Sequence, residues 1–458
     1  MRLKLLTLAI ALAALSPLSH GEDLIDTYRE ARANDPVLSQ ADATRLATGE
    51  GIDQARALLL PQISAGLTVQ QSSGGNSGTN QNNTGTGVGT GTTTGVTTTD
   101  GVGHIRTRDV SATLSQTVLD LSKIADLKAA HSQANAQDQL YSAAEQALFV
   151  RVATAYFGIL TNQDALTFAK ANEESFKQSF EQADQRYKVG LSAVTDSYQA
   201  KAQYEAAKAQ TITAQNTLND AREALSQITG KPVGELKRLR QDLPLDAPVP
   251  ADANAWVQDA MKYNPTLLSQ VDSVEAAEHN ISAARAGHLP TITATVSRSK
   301  TTQWLEHGSA NYAGNGDYGT VAGLTLSVPI FSGGATQSRV RQSIYQRDEA
   351  QDSAESERRQ VKRDTLNYYR SVVAGISQVE SGKSAVDSGE KALDATKAGF
   401  SVGTKTITDV LLAIQTLTSS ESSYSQARHQ FVLNKLLLKQ SAGTIEYKDI
   451  QGVNGLLQ

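Results

Sequence analysis

"RYKVGLSAVTDS" runs from Arg186 to Ser197, and "GFSVGTKTITDV" runs from Gly399 to Val410. Each phrase sets an aromatic residue (Tyr187, Phe400) two places before Val-Gly, and Thr-Asp five places after the glycine. Long runs rich in Ala, Gln, Glu and Lys flank both. Glycine is a poor residue for a helix interior but a good one for reversing a chain after a helix. A Val-Gly between two helical runs therefore marks a helix–turn–helix point. Finding it twice implies that the helical hairpin is duplicated.

Outward from these phrases, further pairs recur in the same order. "ANDPVLSQAD" (Ala33–Asp42) matches "KYNPTLLSQVD" (Lys262–Asp272), and "LLPQISAGLTV" (Leu59–Val69) matches "HLPTITATVSR" (His288–Arg298). "ATLSQTVLDLSK" (Ala112–Lys123) matches "GLTLSVPIFSGG" (Gly323–Gly334). Pro36 to Pro265 and Pro61 to Pro290 are both 229 apart, whereas Leu114 to Leu326 is 212 and Gly190 to Gly403 is 213. The fall from 229 to 212 puts an insertion in the first copy, where the uncharged Gly/Thr-rich run Ser72–Thr99 lies. The second copy has a shorter Gly-containing counterpart, Glu306–Gly319. Insertions at one point of a repeat mark an exposed loop tip. The expected organisation is a signal peptide over 1–21 and a first repeat over 22–243, with strands near 61–71 and 107–119. A second repeat follows over 244–447, with strands near 289–303 and 319–331, and then a tail over 448–458.

Alternating sequence flanks each loop. Ile63, Ala65, Leu67 and Val69 alternate with small or polar residues, as do Val110, Ala112 and Leu114. Ile292, Ala294 and Val296 do the same, as do Leu324, Leu326, Val328 and Ile330. Strands of about ten residues, apolar on one face and small-polar on the other, with long loops at one side, fit a transmembrane barrel. A soluble hairpin with one side on a core gives the same alternation. Four strands cannot close a barrel, since about eight is the minimum, so the barrel reading requires an oligomer.

The remainder reads helical. A helix from about Lys123 to Lys188 would be on the order of 100 Å long. Val410, Leu417, Tyr424, Phe431 and Leu438 recur every seven residues, joined by Ile407 and Ile414 and then interrupted by Glu421, Arg428 and Lys435. This is a coiled-coil-like seam. Tyr204, Thr211, Leu218 and Leu225 form a weaker one in the first copy.

Other chemistry finds little footing. The net charge of −5 and the lack of a basic cluster argue against nucleic acid. Seven histidines are scattered without metal-ligand spacing, so neither a metal nor a cofactor is expected. "ITGKPVGEL", from Ile228, lacks the upstream glycine and the Ser/Thr of a phosphate loop and reads as a helix stop. An enzyme is not expected. Arg2, Lys4, the apolar run Leu5–Leu15 and Ser19-His20-Gly21 look like a secretory signal. With no cysteine, an exported chain draws rigidity from long helices or oligomerisation, and it has no acceptor for a lipid anchor. Trp304, Tyr312 and Tyr318 could join an interfacial aromatic belt, although loop aromatics are common.

With "GHLPTI", "LTLSVPIFSGG", "RYKVGLSAVTD", "LSQITGKPVGEL", "GFSVGTKTITDVLLA" and "ARHQFVLNKLLLKQSAGT" in place, the chain resembles the TolC family of outer-membrane efflux and secretion channels, in its unlipidated type I secretion branch. The resemblance implies a mostly α fold with transmembrane β: a homotrimer whose four strands per chain build a twelve-stranded outer-membrane barrel, continued by a periplasmic α-helical coiled-coil tunnel. It implies an exit duct for proteins or small toxic compounds, working with a periplasmic adaptor and an inner-membrane ABC or proton-driven transporter, in contact with outer-membrane lipid. Val189, Gly190, Leu191, Val402, Gly403 and Thr404 would form the helix-turn tips where the adaptor docks. Thr195, Asp196, Phe400, Lys405 and Asp409 would form the periplasmic gate. Two departures stand out: Phe400 replaces a tyrosine, and Leu412 replaces a second pore-facing acid. Lys405 also replaces an arginine, losing its bidentate fork, so a gate with fewer polar links is expected. The plainer reading of Asp196 and Asp409 is helix capping. The alternative to a duct is a barrel-anchored trimeric surface protein.

Overall fold

The computed structural model describes residues 21–73, 104–306 and 314–458. The expected signal peptide falls outside the described residues apart from Gly21. So do most of the Ser72–Thr99 loop and Tyr312. The order of elements is α1 (Leu24–Asn34), α2 (Pro36–Ala57), β1 (Gln62–Ser73), β2 (His104–Leu119), α3 (Leu121–Lys188), α4 (Val194–Thr229), α5 (Ala253–Tyr263), α6 (Pro265–Ala286), β3 (Thr291–Glu306), β4 (Gly314–Asn315), β5 (Gly319–Ser327), α7 (Ala335–Ser401), α8 (Ile407–Ser441) and α9 (Tyr447–Asn454). The helices α3 and α7 are continuous over 68 and 67 residues. No described helix is long and apolar enough to cross a membrane.

The chain forms two compact units, one from residues up to 48, 133–274 and 349–458, the other from 49–132 and 275–348. Each draws on both copies of the repeat.

The second unit is built on one antiparallel sheet, in which β2 pairs with β1 and β3, and β3 pairs in turn with β5 and with the short β4. Each long hairpin begins just after a proline, Pro61 or Pro290, which ends the preceding helical run. The register places Ile63, Ala65 and Leu67 opposite Leu114, Ala112 and Val110. It likewise pairs Leu114 with Val296, and Ile292 and Ala294 with Leu326 and Leu324. Over these rows the alternation separates apolar side chains, with Gln116 opposite Ala294 as the polar exception, from Ser, Thr, Gly and Gln. Ile63, Leu67, Val69, Leu324 and Leu326 are all more than 60% exposed in the protomer. Apolar exposure on that scale requires a lipid or protein cover. The strand expected near 319–331 ends at Ser327, two residues before Pro329, which has no N–H for a ladder.

In the first unit, Asp35 and Asn264 perform the same task in the two copies. Each ends one short helix, and its side chain accepts from the first turn of the next: Leu38 N–H to Asp35 at 2.9 Å and Leu267 N–H to Asn264 at 3.1 Å. Pro36 and Pro265 occupy the first helical position, where a missing N–H costs nothing. The core gathers on Leu148–Leu160 of α3, with Tyr156 and Phe157 fully buried, and on Phe431–Leu438 of α8. The second-copy seam is present: Ile407, Val410, Ile414, Phe431 and Leu438 are buried, and Leu417 and Tyr424 half-buried.

Two segments differ from expectation. Residues 230–252 are not helical, because Pro232, Pro244, Pro248 and Pro250 forbid it; instead Leu236 and Leu239 bridge to Glu22 and Leu457. The segment 448–458, expected as a tail, contributes to α9, which buries Ile450 and Val453.

Candidate functional site

The two Val-Gly phrases fold into the same turn. Gly190 has φ 76° and Gly403 φ 80°. The Gly190 N–H donates to Tyr187 O at 2.9 Å and the Leu191 N–H to Arg186 O at 2.8 Å. In the second copy the Gly403 N–H donates to Phe400 O at 3.2 Å and the Thr404 N–H to Gly399 O at 2.9 Å. These paired bonds, with a left-handed residue just past the helix, are the Schellman cap. A Cβ on either glycine would meet nothing within 4 Å, so the backbone angle alone demands glycine. The residues beside them are apolar and exposed: Val189 68%, Leu191 70% and Val402 74%.

The helices that leave the turns start differently. Thr406 caps α8: its hydroxyl accepts from Asp409 N–H at 3.2 Å, while the Asp409 carboxylate accepts from Thr406 N–H and its hydroxyl, both at 2.9 Å. This is a reciprocal capping box. The bonds from Thr406, with Lys405 nearby, hold the Asp409 carboxyl below the usual range. The α4 helix starts at Ala193 with no side-chain cap. Asp196 lies in its first turn, half-exposed, and its side chain makes no hydrogen bond or ion pair among the described residues. The capping reading thus describes Asp409 and not Asp196.

Thr195, Thr404 and Lys405 are exposed, and Phe400 is half-buried. Within the protomer, Asp196 and Lys405 form no ion pair among the described residues. The two hairpins meet instead through Arg186. Its guanidinium lies over the Phe400 ring at 4.8 Å, and it donates to Phe400 O at 3.4 Å. Beneath this contact Phe176, Ala183, Ala200 and Ala207 pack against Leu393, Ile407, Val410 and Ile414. Arg186 opens the first repeated phrase, yet the sequence reading passed over it. The signal was its alignment, 213 residues upstream, with Gly399. A large cation and a residue without a side chain thus occupy equivalent places.

A further polar cluster lies in this unit. A cavity of about 390 Å³ is lined by Asp164, Glu421, Ser425, Arg428 and His429, among others. Its groups bond one another: Ser425 donates to Asp164 at 2.6 Å, Thr161 Oγ1 is 2.8 Å from His429 Nδ1, and Arg428 donates to the carbonyls of Leu239 and Arg240. Burial pushes the His429 imidazole down to about 4, against the pull of Asp164. The cluster stitches α8 to α3 and to the 236–241 segment.

The duplicated hairpins match a known pattern. The family model "Outer membrane efflux protein" matches residues 27–231 and 256–444, most of the chain. The chain belongs to the outer membrane efflux protein family. The Outer membrane protein TolC of Escherichia coli (strain K12) is 33% identical over 457 residues, covering 98% of this chain and 88% of TolC. The Alkaline protease secretion protein AprF of Pseudomonas aeruginosa is 26% identical over 340 residues, 74% of this chain and 70% of its own. Among solved structures, the CmeC outer membrane channel of Campylobacter jejuni superposes with a TM-score of 0.75 at 16% identity, over 95% of this chain and 90% of CmeC. The fold of this efflux protein is that of these channels: a mostly helical chain giving four strands to a shared barrel and long helices to a tunnel. It is an export duct of the bacterial outer membrane reaching into the periplasm, and not an enzyme.

Proposed function

We propose that this channel works as a homotrimer, with twelve main strands closing its barrel, and that the two Schellman turns are its periplasmic, adaptor-docking end. The observation that carries the reading is the duplicated turn itself: two identical caps, each exposing apolar side chains beside a glycine on a long helix. Among the described residues, nothing covers Val189, Leu191 or Val402. A partner's apolar groove would cover them at reduced polar cost, because each cap already pairs two of the carbonyls left open at the end of its helix. A periplasmic adaptor fits there, and behind it an ABC or proton-driven inner-membrane transporter. AprF carries alkaline protease secretion in its name, and a Pseudomonas putida relative is named a probable efflux pump outer membrane protein. The cargo class proposed here spans both, proteins and small toxic compounds.

Thr195, Asp196, Phe400, Lys405 and Asp409 serve in this reading as the gate. Asp196, half-exposed and without a side-chain partner among the described residues, is the group available to Lys405 of a neighbouring copy. Leu412 is 61% exposed one turn beyond Asp409, where it adds no charge. The closed state then depends on few polar links. Single-channel recording in planar bilayers tests this. Asp196→Ala with Lys405→Ala is expected to raise the closed-state conductance. Unchanged conductance would remove the latch role, and no conductance even in gate variants would remove the channel reading.

A further inference from the structure

The apolar face of the sheet does not stay apolar. Strand register, two residues per row at about 6.7 Å, lets each row be read across β1, β2, β3 and β5. The rows Ile292–Leu326 and Ile63–Leu114–Val296–Ala322 are apolar, and the row between them, Ala294–Leu324, holds one neutral polar residue, Gln116, and no charge. The next, toward the Ser72–Thr99 and Glu306–Gly319 connections, carries Arg298 opposite Ala112. Then come Lys300 opposite Val110, Arg108 opposite Thr302 and Arg106 opposite Trp304. Four cations thus fall in four consecutive rows, and no acidic residue occupies those rows on that face. Asp109 belongs to the other face, where it accepts from Thr301 at 2.7 Å. Tyr318 stands between two of the cations, its ring centroid 5.3 Å from the Arg298 guanidinium and 5.5 Å from the Lys300 ammonium. Arg106 donates to Gln71 on the same face at 3.0 Å.

On the face that meets hydrocarbon, a cation is costly at mid-membrane and inexpensive at its border, where its stem stays in the apolar layer and its head reaches anionic groups. Long connections lie on the outer side of such barrels, so this border is the outer leaflet. We propose that Arg108, Arg298 and Lys300, with Arg106 beside them, form a binding site for the phosphate groups of an anionic outer-leaflet lipid. Arginine forks grip phosphate oxygens in a bidentate way, Lys300 adds a point charge, and the Tyr318 ring keeps both Arg298 and Lys300 within cation–π reach. The proposal rests on the sheet being the membrane-spanning part of the duct.

The test uses the purified full-length channel, with bound lipid counted by native mass spectrometry after exposure to bisphosphorylated lipid A or to its dephosphorylated form. The wild type is expected to retain the phosphorylated lipid in preference. Arg108→Gln/Arg298→Gln/Lys300→Gln is expected to lose on the order of 100-fold in retention, about fivefold per cation, while planar-bilayer conductance stays at the wild-type value. Equal retention of the two lipids, or of one lipid by wild type and variant, overturns the site. Displacement of the lipid by an equal concentration of inorganic phosphate also overturns it, in favour of a free-anion site. Should the triple variant fail to assemble, Arg298→Gln and Arg298→Lys decide: loss in the first and recovery in the second supports the site, and equal retention overturns it. Lost conductance with lipid retention as expected would strike the duct reading and leave the lipid site standing.

Discussion

The hairpins α3–α4 and α7–α8 share a turn and differ in how their second helix is held. At the start of α8, Ile407, Val410 and Leu411 are buried and Thr406 closes a capping box. At the start of α4 the equivalent places hold Val194, 41% exposed, Ser197, and Tyr198, 69% exposed, with no side-chain cap. Further along the two converge, α8 burying Phe431 and Leu438 and α4 burying Leu218 and Leu225 at the matching places, but α8 also buries His429 where α4 leaves its counterpart Asn216 exposed. The same duplicated sequence has therefore produced one helix anchored at its start and one lightly held there. The difference teaches that the first turn of α4 has fewer restraints than that of α8.

The largest expected break in this asymmetry is at His429. Its imidazole stays neutral when folded down to about pH 4 but takes up a proton near 6.5 when unfolded. Its contribution is complete above pH 6.5 and is lost as the pH falls toward 4. Relative to His429→Asn, which copies Asn216, the wild type is expected to lose on the order of 3 kcal/mol between pH 7.5 and 4, measured by denaturant unfolding at each pH. Parallel slopes in the two proteins would exclude His429 as the cause.

The turns themselves come next. Gly190→Ala and Gly403→Ala each place a Cβ on a left-handed backbone at about 1–2 kcal/mol, read as a lowered thermal midpoint, with the two costs equal because both glycines have open space around them. A cost at Gly190 alone would mean that the caps are not equivalent. Thr406→Ala is expected to cost about 1 kcal/mol, and Ala193→Thr to recover a similar amount at α4; hydrogen exchange at the first turn of each helix reports both. If Ala193→Thr leaves α4 exchange unchanged, the missing cap is not what loosens it. The smallest effect is at Arg186. Arg186→Gln removes the contact with Phe400 for about 0.5–1 kcal/mol, and Phe400→Leu is expected not to add to it in a double-mutant cycle.

Much of this was legible in the sequence, for specific reasons. The repeated Val-Gly announces a left-handed residue because so few residues accept that angle, and strand alternation fixes which residues share a face. The prolines at 232, 244, 248 and 250 were equally visible, and the helical reading of that segment underweighted them. Arg186 was not legible as a link. Its partner, Phe400, is 214 residues away, and nothing local in either phrase states that a guanidinium will cover that ring. Asp196 and Asp409 differ already in the sequence, since Thr406, three residues before Asp409, can complete a capping box and Ala193, three before Asp196, cannot.

By itself, then, the sequence determined the duplication, the strand faces and the two turns, because periodicity and backbone sterics act within a few residues. Tertiary structure alone decided which turn is tied down by packing, and where His429 and Arg186 find their partners. Those depend on packing between helices hundreds of residues apart, where burial and hydrogen bonding are settled by neighbours that the local sequence does not name.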